Sequence, residues 1–156
     1  MSISGLEKLD VWCKAMGFAV RVNKEVLPAL PQEEKWSLSQ QLRRASQSIP
    51  ANIAEGHGRF YFQENVRFCY IARGSLEETL SHIVYANKVS YLSETLCKNL
   101  ATDGENLNRL INGYIGFLKK SKQGINEPGA NFVVREFSSD YIVEDNLSPL
   151  SDSNIE

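Results

Sequence analysis

Ser48-Ile49-Pro50-Ala51-Asn52-Ile53-Ala54-Glu55-Gly56 decides how this chain folds. Leu38, Leu42, Ala45, Ile49, Ile53 and Gly56 recur at spacings of three and four straight across Pro50, which is the period of one helix face. An interior proline removes a backbone hydrogen bond, collides with the preceding turn and costs about 3 kcal/mol. A pattern that survives it predicts a kinked but continuous helix, with tertiary packing offsetting the local cost. Pro50 frees the carbonyl of Ser46, and Ser48 and Asn52 are placed to satisfy nearby backbone groups. Gly56, His57 and Gly58 mark the end, with a left-handed cap expected at one of the glycines.

Upstream, Leu6, Leu9, Cys13, Met16, Val20, Asn23, Leu27 and Leu30 form a heptad stripe, widened by Trp12, Ala19 and Val26. This predicts a first helix with more than one neighbour. Pro28 and Pro31 predict a stop and a fresh start, after which Glu33 and Glu34 suit the positive end of the second helix. Downstream, a third helix is expected from about Gln63 to about Tyr91 along Val66, Cys69, Ala72, Leu76, Leu80, Ile83 and Ala86. Ser93 caps a fourth, whose stripe includes Leu96, Leu100, Leu107, Leu110, Ile111, Tyr114, Phe117 and Leu118. Asp103-Gly104 is expected to weaken and bend its first half. Long amphipathic helices with short connections predict an all-α, up-down antiparallel four-helix bundle over residues 1–122.

The chain has 156 residues, enough for one domain with a real core, and a net charge of −2 that conceals an asymmetry. Met1–Gly124 holds 16 Lys/Arg against 12 Asp/Glu, whereas residues 125–156 hold Arg135 against seven acids. With Pro128, Gly129, Pro149 and Ser-rich stretches, residues 123–156 read as an acidic, non-helical and partly disordered tail. Strand-like clusters at Asn131–Phe137 and Tyr141–Val143 are its candidate docking segments. Cys13, Cys69 and Cys97 show neither disulfide nor zinc-ligand spacing. A cytoplasmic protein is expected, with no leader, membrane span, metal or cofactor.

Leu38-Ser39-Gln40-Gln41-Leu42-Arg43-Arg44-Ala45, leading into the proline segment, and Arg67-Phe68-Cys69-Tyr70-Ile71-Ala72-Arg73-Gly74-Ser75-Leu76-Glu77-Glu78 stand in order on the second and third helices. Together they resemble the four helix bundle protein family, the 23S rRNA intervening-sequence proteins of bacteria, from about Leu9 to Lys120. The resemblance implies a ring-like homo-oligomer, expected as a pentamer, with no known catalytic activity. It also implies an architecture like that of the accessory variability proteins of diversity-generating retroelements, which work with a reverse transcriptase and nucleic acid. Nothing carries over to the tail.

Asn52, Glu55 and Arg59 share a face of the second helix if it lasts to residue 59, and Arg73 and Glu77 are an i,i+4 pair on the third, flanked by Ser75 and Glu78. Two readings stand side by side: a polar network that fixes helix register, or a ligand or catalytic site built on Asn52, Glu55 and Arg73. Pro50, Asn52, Glu55, Gly56, Arg73, Gly74, Ser75 and Glu77 are the structural motif, with Gly56 and Gly74 expected to admit a close backbone approach. Gly56-His57-Gly58 lacks a Walker motif's length and its Lys-Ser/Thr, and His57 and His82 have no partner at ligand spacing. A non-enzymatic protein is the expectation. Arg43, Arg44, Arg59, Arg67, Arg73, Lys119, Lys120 and Lys122 are the candidate contacts to RNA or DNA, since symmetry in a ring would repeat them. The competing accounts are helix capping and pairing with Glu33, Glu34, Glu55 and Glu77, or a protein-interaction scaffold whose acidic tail recruits a partner or covers the basic body.

Overall fold

The computed structural model describes residues 5–122 and 124–125. Four helices make the body: α1 (Asp10–Arg21), α2 (Leu38–His57), α3 (Phe62–Lys88) and α4 (Glu94–Ser121). No strand occurs among the described residues. Cross-helix pairs fix the directions. Along α2 and α3, Arg44 meets Glu78, Ser48 meets Ser75 and Gly56 meets Asn65. Along α3 and α4, Asn65 meets Tyr114, Arg73 meets Asn112 and Leu80 meets Gly104. Numbers rise on one helix as they fall on the other, so both pairs are antiparallel. α1 closes the bundle against α2 and α4, giving the four-helix bundle that the periodicity predicts. The acidic tail, its strand-like clusters and the proposed boundary beyond residue 122 lie outside the described residues, apart from Gly124 and Ile125.

α1 turns a different face to the core from the heptad stripe. Val11, Ala15, Phe18 and Val22 are buried together with Ala19 and Val26 that widen the stripe, whereas of the stripe itself Leu30 alone is buried, Met16 and Val20 are 38% and 40% exposed and Asn23 is exposed. Leu9, Cys13 and Leu27 are half-buried. The helix carries two interleaved apolar rows, and a π-turn at Val22–Val26 followed by a 3-10 turn at Leu27–Ala29 keeps the second row inward.

The second helix starts later than Pro31 suggests. Gln32–Trp36 is a 3-10 turn, Ser37 breaks the chain with φ −122° and ψ −97°, and α2 begins at Leu38. Glu34 nonetheless serves its positive end from outside. Its Oε2 accepts from the Ser37 hydroxyl and, at 3.2 Å, from the Leu38 N–H, while Oε1 accepts from Tyr91 at 3.3 Å. The Ser37 hydroxyl, followed by the Leu38 N–H, holds the Glu34 carboxyl below the usual carboxylate range.

α2 runs unbroken through Pro50, which is buried. Asn52 Nδ2 donates to the Ser48 carbonyl at 2.7 Å and to Ser48 Oγ at 2.8 Å, and Ser48 Oγ lies 2.8 Å from Ser75 Oγ on α3. The helix closes without the expected left-handed glycine, because Gly58 has φ −74° and returns its N–H to the Ala54 carbonyl at 3.0 Å. Gly56 has a packing role instead. A Cβ there would stand 2.7 Å from Asn65 Oδ1 and 2.9 Å from Phe68 Cβ. Gly74 does not share it: the residue is exposed, with nothing within 4 Å of a Cβ built on it.

α3 buries its predicted stripe except for half-buried Leu80, and stops at Lys88 rather than near Tyr91. Ser90 takes φ 65° and the N–H groups of Tyr91 and Leu92 turn back to the Ala86 carbonyl. Ser93 caps α4 as expected, accepting from Leu96 N–H at 3.2 Å. Ile115 joins the core, which the stripe omits, and Phe117 leaves it at 62% exposure. Gly104 does not interrupt α4. It admits Leu80, whose Cδ2 would lie 2.7 Å from an added Cβ.

Candidate nucleic-acid interface

The two polar strips expected to meet do so only in part. Ser48, Asn52 and Ser75 join α2 to α3, and one turn away Arg44 donates to Glu78 at 2.9 Å. Glu55 instead pairs with Arg59, which lies past the end of α2 at His57 and so does not share the helix face that the spacing suggested, and Arg59 also lies 5.3 Å from the Phe68 ring centroid. Arg73 turns to the opposite side of α3, donating to Asn112 Oδ1 at 2.8 Å and covering the Tyr70 ring at 4.9 Å. Asn52, Glu55 and Arg73 therefore do not converge. Glu77 lies on the same side as Arg73, on the wall of a groove of about 300 Å³ between α3 and α4 that Leu80, Val84, Cys97 and Glu105 also line. His57 is exposed, and His82 is half-buried with Nε2 3.8 Å from Glu78 Oε1.

Antiparallel packing sorts the candidate cations into two groups. Arg43 and Arg44 sit in the first half of α2, where Glu78 neutralises Arg44. The C-terminal half of α2, the N-terminal half of α3 and the end of α4 bring together Arg59, Arg67, Arg73, Lys119, Lys120 and Lys122. Within residues 52–59, 62–73 and 112–122 these six cations face two carboxylates, Glu55 and Glu64. Lys119 donates to Tyr70 Oη at 2.8 Å and so sits at the hydroxyl end of the ring, 5.5 Å from its centroid, while Arg73 covers the face. One tyrosine thus holds two cations close together. Arg67, Lys120 and Lys122 are exposed. Elsewhere, Arg21 is ion-paired with Glu25 and Asp103, Lys98 with Glu94 and Arg109 with Glu105. Sequence spacing missed the roles of Asn112 and Tyr70. Lys119 reaches Tyr70, and Asn112 reaches Arg73, only once α3 and α4 are docked, whereas Tyr70 and Arg73 are i,i+3 neighbours on α3, a signal that the sequence carried.

Burial pushes the Cys69 thiol up to about 12, so its thiolate, the reactive form, is scarce at neutral pH. We expect a thiol reagent at pH 7 to label half-buried Cys97 in the native protein and to reach Cys69 only after denaturation. The thiolate fraction alone slows Cys69 by on the order of a thousandfold. Parallel labelling of both cysteines followed by peptide mass analysis checks it.

The model of the 23S rRNA-intervening sequence protein family matches residues 7–113. The chain belongs to that family. A solved structure of a protein of unknown function from the S23 ribosomal protein family of Bacteroides thetaiotaomicron VPI-5482 is similar, with TM-score 0.62 and 25% identity. The similarity covers 67% of this chain and 97% of that one. No curated protein matches the chain. As a 23S rRNA-intervening sequence family member the chain carries the proline segment and the Arg67–Glu78 stretch inside the matched span, while Lys119, Lys120 and Lys122 lie beyond it. No helix among the described residues is long and apolar enough to cross a membrane.

Proposed function

We propose that this protein is a cytoplasmic, non-enzymatic, homo-oligomeric scaffold that binds nucleic acid through the cation-rich half of its bundle. The observation that carries the reading is the local excess of six cations over two carboxylates where the end of α2, the start of α3 and the end of α4 come together with the turns beside them. A field of that sign attracts phosphates, and repetition around an assembly multiplies it. The name of the family agrees with an RNA connection. Separation of Asn52, Glu55 and Arg73 supports a scaffold over a catalyst, since their partners are Ser48, Arg59 and Asn112.

Self-assembly has its own support. The exposed heptad row of α1, with Met16 and Val20 outward and Leu9, Cys13 and Leu27 half-covered, suits burial against another copy in a ring, for which a pentamer is the expected size. A reverse transcriptase partner, as in the retroelement architecture, and a tail-dependent protein partner are the alternatives.

Fluorescence anisotropy with a labelled RNA oligonucleotide tests the nucleic-acid reading. Arg67→Glu combined with Lys120→Glu is expected to weaken binding by about tenfold or more at low salt and to flatten the salt dependence, each lost phosphate contact removing about 0.7–0.9 from the log–log slope. Absence of binding at low salt, with and without residues 125–156, overturns the reading. If binding fails and deletion of the tail abolishes capture of a protein partner, the interaction-scaffold alternative takes its place.

A further inference from the structure

The cation-rich half carries aromatic side chains that the core does not use. Phe60, directly after Arg59 in the α2–α3 connection, is 53% exposed, and Phe117 on α4 is 62% exposed. Neither ring swings freely. Phe60 meets Tyr61 edge-to-face at 5.8 Å, and Phe117 stacks on Tyr114 at 6.3 Å with 14° between planes. Phe117 and Lys120 are i,i+3 neighbours on α4, so a flat apolar group and a cation stand side by side on the outer surface. Tyr70 plays a different part, because Arg73 already covers its ring and Lys119 is hydrogen-bonded to its hydroxyl.

A duplex keeps its base faces stacked inside and offers a protein edges and phosphates. A single strand exposes its base faces, and exposed rings set among cations answer that surface. We propose that the cation-rich half takes single-stranded nucleic acid, with bases stacking on Phe60 and Phe117 and phosphates held by Arg67, Lys120 and the Arg73–Lys119 pair. The inference rests on the nucleic-acid reading and narrows its ligand.

The test uses the full-length protein with labelled single-stranded RNA, single-stranded DNA and duplexes of equal length, and inorganic polyphosphate as a ligand with charge and no bases. Single strands are expected to bind about tenfold or more tightly than duplex. Phe60→Ala and Phe117→Ala are each expected to weaken single-strand binding by about fivefold or more and to leave polyphosphate binding unchanged. Phe117→Tyr, which keeps a stacking face, retains affinity. The RNA and DNA arms report which sugar is preferred. Equal affinity for single strand and duplex, or alanine variants that bind like the parent, overturns the inference while leaving phosphate binding in place. A changed assembly mass for Phe117→Ala in light scattering also overturns it, since the ring is then a subunit contact. Loss of all binding in the parent removes the broader reading instead.

Discussion

Replacing Gly56 by alanine is expected to destabilise the bundle by about 2 kcal/mol, lowering the melting temperature by several degrees. Alanine is the better helix former by about 1 kcal/mol, so propensity alone predicts the opposite sign. Packing wins because of what a Cβ would meet. Asn65 Oδ1 at 2.7 Å, Phe68 Cβ at 2.9 Å and the Asn65 carbonyl oxygen at 3.0 Å surround it, and the last belongs to the backbone of α3. Asn65 cannot simply rotate away, since its Nδ2 donates to Tyr114 Oη at 3.2 Å and its Oδ1 lies 3.7 Å from the Cys69 thiol. Burial, only partly offset by the Asn65 amide, raises the Tyr114 hydroxyl's pKa, so the strain would reach a desolvated polar contact. Gly74→Ala is the control. With nothing within 4 Å of its Cβ, propensity should act alone and stabilise α3 by about 1 kcal/mol or less. Thermal unfolding followed by circular dichroism measures both. A Gly56→Ala variant as stable as the parent would show that α2 and α3 can separate at no cost.

These two glycines show what the sequence can and cannot say. Both sit in helices and both break a run of good helix formers, yet only one faces a neighbour's backbone, and that depends on how the bundle docks. The helix count, the continuity of α2 through Pro50 and the Ser93 cap were legible because each rests on local periodicity or a local hydrogen bond. The inward face of α1 was not. Its two apolar rows, through Cys13, Met16 and Val20 and through Ala15, Phe18 and Val22, are both helical in spacing, and the heptad row has the more regular period. Only the widened turn at Val22–Val26 and the docking of α1 against α2 and α4 select the other. The same limit applies to the candidate interface. Lys119, Lys120 and the arginines could be named from sequence, but their division into two groups, with Arg44 neutralised by Glu78, follows from the antiparallel register.

The row that the core rejects leads to the strongest effect expected for the assembly. If the proposed oligomer forms through this row, Met16→Glu with Val20→Glu should convert it to monomers without loss of helix content. In the isolated bundle both side chains already face water, at 38% and 40% exposure, so the charges cost the fold little. Between subunits they would be desolvated without partners, which costs several kcal/mol per ion. Light scattering reads the mass and circular dichroism the helicity. A monomeric parent, or a double variant of unchanged mass, defeats the assignment of this face to self-association. Cys13, half-buried on the same row, then separates two geometries. A two-fold contact sets the row against itself and permits a Cys13–Cys13 disulfide on mild oxidation, whereas a ring sets it against a different face of the next subunit. A ring therefore predicts an assembly that depends on Met16 and Val20 yet yields no Cys13-linked dimer.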